Sequence, residues 1–316
     1  MPFVCARAPL AAVALLLLSA APVAAQDAGL TRPVDTVGST ATAAATPTIL
    51  TADATDGQNV SAGLGMPMPH TVDPDDGLSL ALGGSHWQGD FGTPFNSRVE
   101  VVFASLRYRV KDIRFTATLP WMRIQSRGAL FTGIDATPII VGDLPASRRI
   151  RDGLGDLTLG AAWLAQDEAT NFANVELSGR VKLPTASDSS GLSTGKADFA
   201  ASAELSRTLG PITPAVRVGY RFLGDLRGYK LRDGFTASAS VATIFLGTAA
   251  AVVGYDYTQR ASRFVRDAHE LSFGVSAPLL NQVRLSAYAS AGLSSGAAAY
   301  STGLSLAFNF GRRATR

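Results

Sequence analysis

Polar and apolar residues alternate with a period of two along most of the chain beyond about residue 78. Between 171 and 183, Ala173, Val175, Leu177, Gly179, Val181 and Leu183 share one face, and Phe172, Asn174, Glu176, Ser178, Arg180 and Lys182 share the other. Successive side chains of a strand point to opposite sides, so this stretch predicts a strand with one apolar and one polar face. Leu271, Phe273, Val275 and Ala277 alternate with Glu270, Ser272, Gly274 and Ser276. The same holds for Val283 to Gly292 and for Tyr300 to Phe310. Segments of about ten alternating residues are the pattern of membrane-spanning strands.

The full pattern predicts an all-β, antiparallel, up-and-down transmembrane barrel of about 12 strands. They lie near 78–88, 98–109, 112–124, 155–165, 171–183, 196–208, 211–223, 233–245, 248–258, 267–278, 282–292 and 299–310. The second departs from clean alternation, because Val101 and Phe103 share a face with Arg107 and Arg109. Connections alternate in length. Val110-Lys111, Leu209-Gly210 and Leu279-Leu280-Asn281 are short, whereas 125–154, 184–195 and 259–266 are long and mostly polar. With a periplasmic N-terminus, the short turns face the periplasm and the long loops face outward. Trp121, Trp163, Tyr220, Phe222, Tyr255, Tyr257, Tyr300, Phe308 and Phe310 sit toward strand ends on apolar faces, where aromatic girdles belong.

The first residues predict export. Arg7 precedes an apolar run from Leu10 to Ala20, and Val23 and Ala25 form a small-x-small cleavage site. Residues 1–25 are expected to be a signal peptide, since the apolar run falls short of the roughly 20 residues of a spanning helix. Residues 26–77 are rich in Thr, Ala, Asp, Gly and Pro without sustained period, and predict a flexible periplasmic segment. A basic tail at 311–316 follows the barrel at 78–310. Cys5, the only cysteine, precedes the apolar run, which leaves the exported chain without disulfides or thiolate metal ligands. Only 17% of residues are charged and the net charge is +3, a balance unlike that of nucleic-acid binders.

The predicted polar faces supply candidates for a lumen lining. Arg114, Arg180, Lys182, Arg217, Arg221 and Arg284 are basic; Glu176, Asp198, Glu204, Asp256 and Glu270 are acidic. They fit either a selectivity lining or an ion-pair network that fills the barrel. In the longest loop, Phe131, Ile134, Ile139 and Ile140 are apolar residues that require a reason. They fit an inward constriction or a small hairpin packed on the rim. No catalytic, cofactor or metal site is expected. Ser85 and His86 are neighbours and so face opposite ways, and His269 lacks the second histidine of a zinc motif.

Several short motifs fall between strands. They are Gly153-Leu154-Gly155-Asp156-Leu157, Val181-Lys182-Leu183-Pro184-Thr185, Gly191, Thr194-Gly195, Asp198 and Gly219-Tyr220-Arg221-Phe222. Together they resemble the outer-membrane barrel family of the meta-pathway of phenol degradation, over about 150–310. The chain departs from that pattern at Ala186, where a glycine is expected, and in its tail. The resemblance implies an outer-membrane transporter for passive uptake of small hydrophobic or aromatic compounds. The expected partners are outer-membrane lipid, such solutes and the barrel-assembly machinery, for a monomer in the bacterial outer membrane. An outer-membrane lipid or ester hydrolase and a structural or adhesive barrel are the alternatives.

Overall fold

In the computed structural model the described residues are 77–310, apart from 135–137, 146–149, 188–189, 227–228 and 247–248. The expected signal peptide, the segment before Gly77 and the tail 311–316 lie outside them. The strands are β1 Gly77–Gly89, β2 Ser97–Val110, β3 Ile113–Gln125, β4 Gly128–Thr132 and β5 Pro138–Pro145. Then come β6 Ile150–Leu154, β7 Leu157–Gln166, β8 Asn174–Leu183, β9 Asp198–Ser206 and β10 Ile212–Phe222. The last are β11 Gly234–Phe245, β12 Ala249–Thr258, β13 Ala268–Leu280, β14 Val283–Gly292 and β15 Tyr300–Asn309.

These strands close into a twelve-strand antiparallel barrel. β1 pairs with β2 on one side and with β15 on the other, so no edge remains. The donation from Phe310 N to Leu78 O, at 2.8 Å, ends this seam. β6 and β7 occupy successive stretches of one neighbour: β6 pairs with β3 at 121–125 and β7 at 113–118. They are two halves of one barrel strand, interrupted at Gly155-Asp156. Gly155 N still donates to Pro120 O, and a Cβ at Gly155 would run into the Met122 side chain. β4 and β5 pair only with each other, as a hairpin within the long loop.

The strand positions follow the sequence periodicity, with local exceptions. β8 starts at Asn174 rather than near 171. The Asp167 carbonyl takes N–H donations from Thr170 and Asn171, and its carboxylate takes one from Ala169, which holds the chain in a turn. β6 was hidden inside the expected loop, because five residues are too few to display a period.

The outer face is apolar. Leu106, Phe115, Leu177, Phe199, Val216, Val218, Phe235, Val253, Phe273 and Leu304 are all exposed. An apolar surface this extensive on a closed barrel belongs against lipid. No helix among the described residues is long and apolar enough to cross a membrane; the strands cross instead. The protein is an outer-membrane barrel. Val218 lies mid-strand on this face. Val218→Arg should therefore lower stability by about 2–4 kcal/mol, read as a lower urea midpoint of the barrel refolded into lipid vesicles. An unchanged midpoint would remove Val218 from the lipid face.

The inner face has three sectors. On β13, β14, β15 and β1 it is mostly serine: Ser276, Ser286, Ser290, Ser301 and Ser305 are buried. Ser286 donates to Ser276 at 2.9 Å, and the hydroxyls of Ser290 and Ser301 are 2.7 Å apart. Tyr288 lies flat across this wall on Gly303, where a Cβ would overlap the ring. On β1–β3 the outer half is apolar. Trp87, Val99, Val101, Phe103, Met122 and Ile124 form one buried cluster. This resolves the irregular second strand: Val101 and Phe103 face inward because part of the lumen wall is apolar. β7–β12, with Arg114 of β3 and Glu270 of β13, supply the third, charged sector.

Candidate functional site

The charged sector begins with pairs fixed by register. Arg114 Nη2 donates to Glu176 Oε1 and Oε2 at 3.0 and 3.2 Å, with both side chains buried. Glu204 and Arg217 are cross-strand partners on β9 and β10 and form a buried ion pair. Buried charges persist only when paired and hydrogen-bonded, and these pairs meet that condition. Arg284 donates to Ser276 at 3.3 Å in the serine sector.

At the outer end of β7–β9 the short motifs converge. Lys182 Nζ lies 3.0 Å from Asp156 Oδ2 and 3.1 Å from Asp198 Oδ2, and all three side chains are at most 3% exposed. The second contact is one of charge rather than an aligned hydrogen bond. Lys182 also donates to Ser193 and Thr194, at 3.4 and 3.3 Å. The other Asp156 oxygen accepts from Ala186 N at 2.9 Å, and the Ser193 hydroxyl bonds Asp156 Oδ2. Asp198 Oδ1 accepts from Gly224 N at 2.8 Å. One lysine and two aspartates thus fasten three strand ends and two outer loops.

The hairpin β4–β5 hangs from this clamp. Thr132 donates through both N and Oγ1 to Leu192 O, at 2.9 and 2.8 Å. Buried Arg151 spans Gly191 O at 2.5 Å and Leu130 O at 2.7 Å. Its guanidinium also sits 5.6 Å from the centre of the Phe131 ring. Leu130, Ile134 and Ile139 are buried. Ile139 packs with Leu223 and Leu231, against which Phe131, Leu226, Tyr229 and Ala261 are laid. The loop is therefore a hairpin, but its apolar residues turn inward rather than resting on the rim. Ile140 belongs to β5; its side chain lies outside the described residues.

Beneath the hairpin is a cavity of about 140 Å3. Ile134, Ile139, Trp87 and Phe91 form its apolar side; Arg180, Arg217, Arg221, Asp256 and Glu270 form its charged side. That volume is close to the ~150 Å3 of a cavity known to hold benzene. The register explains its charged wall. Arg180 on β8 and Arg221 on β10 both face Ala200 of β9 across the sheet, and Arg221 faces Gly234 of β11. Small residues between and beside the arginines leave the space. Asp256 accepts from Ser272 at 2.9 Å and Glu270 from Ser290 at 3.0 Å.

Of the sequence candidates, Arg180, Arg217, Arg221, Asp256, Glu270, Ile134 and Ile139 meet at this cavity. Arg114, Glu176 and Glu204 sit in ion pairs, and Lys182 and Asp198 form the clamp. Sequence reasoning missed Asp156 as a clamp residue and Trp87 and Phe91 as lining. The motif around Asp156 was visible, but its partners depend on register. Neither histidine ring is hydrogen-bonded to a serine hydroxyl among the described residues: His269 Nδ1 meets Tyr255 Oη at 2.6 Å, and His86 lies 3.9 Å from Glu100. Among the described residues no group of three or more His, Cys, Asp or Glu could hold a metal ion.

The model of the family described as "Putative MetA-pathway of phenol degradation" matches residues 88–310. No curated protein matches the chain. Among solved structures, an outer membrane channel from Pseudomonas putida F1 superposes with a TM-score of 0.58 at 14% identity, covering 76% of this chain and 97% of that one. This likeness shows the barrel fold. The KdgM porin gives 0.45 at 9% identity, covering 73% and 99%. CymD, a monoaromatic hydrocarbon channel, gives 0.43 at 13% identity, covering 80% and 97%.

Proposed function

The chain belongs to this phenol-degradation family, and from that membership we propose that it is a channel for passive uptake of small apolar, chiefly aromatic, compounds across the outer membrane. The observation that carries the reading is the cavity under the inward hairpin. It offers room for about one aromatic ring, an apolar side made by Ile134, Ile139, Trp87 and Phe91, and polar groups opposite. Binding sites for small molecules combine such apolar linings with few, placed polar groups. Passage requires that a solute bind well enough to enter and weakly enough to leave, which a site with a half-polar wall favours over a wholly apolar one.

The ion pairs of Arg114 with Glu176 and of Arg217 with Glu204 hold the wall in shape, while Arg180, Arg221, Asp256 and Glu270 set what passes. The hairpin narrows the lumen to the size of the solute. The barrel acts as a monomer, with lipid and the assembly machinery as its other partners.

Swelling of liposomes that hold the purified barrel tests the proposal. Phenol should enter faster than a hydrophilic solute of nearly equal mass, such as glycerol. A barrel through which no aromatic solute passes would sink the channel reading and leave a structural or adhesive role.

A further inference from the structure

The cavity has a chemical direction that its overall apolar character does not capture. Arg221 is 6% exposed, lines the cavity, and has one hydrogen-bond acceptor, the Gln259 carbonyl at 3.0 Å from Nη2. Its Nε is buried and has no partner. Among the described residues no carboxylate lies within ion-pair distance of Arg221, in contrast with Arg114, Lys182 and Arg217. A guanidinium carries five N–H donors, and one this buried that lines a cavity with a single carbonyl as acceptor has donors that a ligand's oxygens can fill.

The surroundings specify that acceptor. Arg180 stands two strands away in the same register row, with only Ala200 between. Two guanidiniums either side of an alanine frame the space of a small, flat anion, and arginine is the side chain that meets a carboxylate with paired, parallel donors. The acids of the same charged wall do not answer for a cation equally well. Asp256 and Glu270 already accept from Ser272 and Ser290, whereas Arg221 keeps donors in excess of its one acceptor. Ile134 and Ile139, in the same lining, take the apolar body.

We propose that the cavity is a binding site for aromatic monocarboxylates, with Arg221 and Arg180 receiving the carboxylate and Ile134, Ile139 and Trp87 receiving the ring. The inference rests on the channel reading and narrows its substrate class from apolar aromatics to aromatic acids. The site is a specificity filter: a neutral ring satisfies the apolar side alone, and a small carboxylate the basic side alone.

Calorimetric titration of the full-length barrel in detergent, using benzoate, benzyl alcohol and acetate, tests it. A charge-assisted hydrogen bond contributes about 1.5–3 kcal/mol, so benzoate should bind about tenfold or more tighter than benzyl alcohol. Acetate should bind more weakly than benzoate. Arg221→Gln should bring benzoate down to about the affinity of benzyl alcohol for the same variant. Arg221→Lys should keep part of the preference, and Ala200→Leu, which fills the space between the arginines, should remove it. Heat-modifiable gel mobility identifies which variants are folded. Equal binding of benzoate and benzyl alcohol, or a benzoate preference that survives in folded Arg221→Gln and Ala200→Leu, overturns this proposal while channel activity toward benzyl alcohol stands. Loss of all aromatic uptake in liposomes overturns the channel reading instead.

Discussion

Lys182→Met is expected to cost the barrel about 3–5 kcal/mol of stability. Methionine nearly reproduces the length and volume of the lysine stem, so the packing survives. The charge does not. Asp156 and Asp198 are left buried and facing each other's negative charge, with Lys182 gone from 3.0 and 3.1 Å away. Removing one partner of a buried ion pair is far more damaging than removing the whole set. The triple variant Lys182→Met, Asp156→Asn, Asp198→Asn should therefore recover most of the loss. Urea unfolding of each refolded barrel, followed by tryptophan fluorescence, gives the ordering: wild type near the triple variant, the single variant well below. A single variant with the wild-type midpoint would show that the clamp carries no stability.

Excision of 128–145, with Arg127 joined to residue 146 by a short Gly-Ser linker, should raise single-channel conductance severalfold and abolish the advantage of aromatic over hydrophilic solutes. Ile134 and Ile139 are the largest aliphatic residues lining the cavity, and both leave with the hairpin. The barrel should tolerate the loss. Among the strands β4 and β5 pair only with each other, and their hydrogen-bonded attachments run from Thr132 to Leu192 and from Leu130 to Arg151 of β6. Stability should change far less than for Lys182→Met. Unchanged conductance in planar bilayers would mean that the hairpin does not occlude the path, and the narrowing would then have to lie lower, among the ion pairs.

The sequence made the barrel wall readable and left its interior mostly hidden, for one physical reason. A strand's two faces are separated by parity alone, which a single sequence displays. Hence β8, β13, β14 and β15 stand within a few residues of their expected positions. What two side chains do to each other inside the lumen depends on register across strands, and periodicity does not encode register. Arg180 and Arg221 are forty-one positions apart and meet because both pair with Ala200. The clamp was half visible. Its members fall in motifs that resemblance picked out, but only the fold shows that Asp156, Lys182 and Asp198 share one point. The apolar run in β2 gave the opposite lesson. Val101 and Phe103 broke the expected polarity, and the break marked the place where the lumen itself is apolar.

The separation between clamp and cavity has an evolutionary consequence. The residues that hold the outer loops in place sit at strand ends, whereas Arg221, Ala200 and Ile134 line the cavity. On the proposed role of the cavity, exchanges at those three positions retune the preferred solute while Lys182, Asp156 and Asp198 keep the loops fastened. A barrel of this design can be diversified toward new nutrients by a few substitutions, each filtered by uptake rather than by failure to assemble.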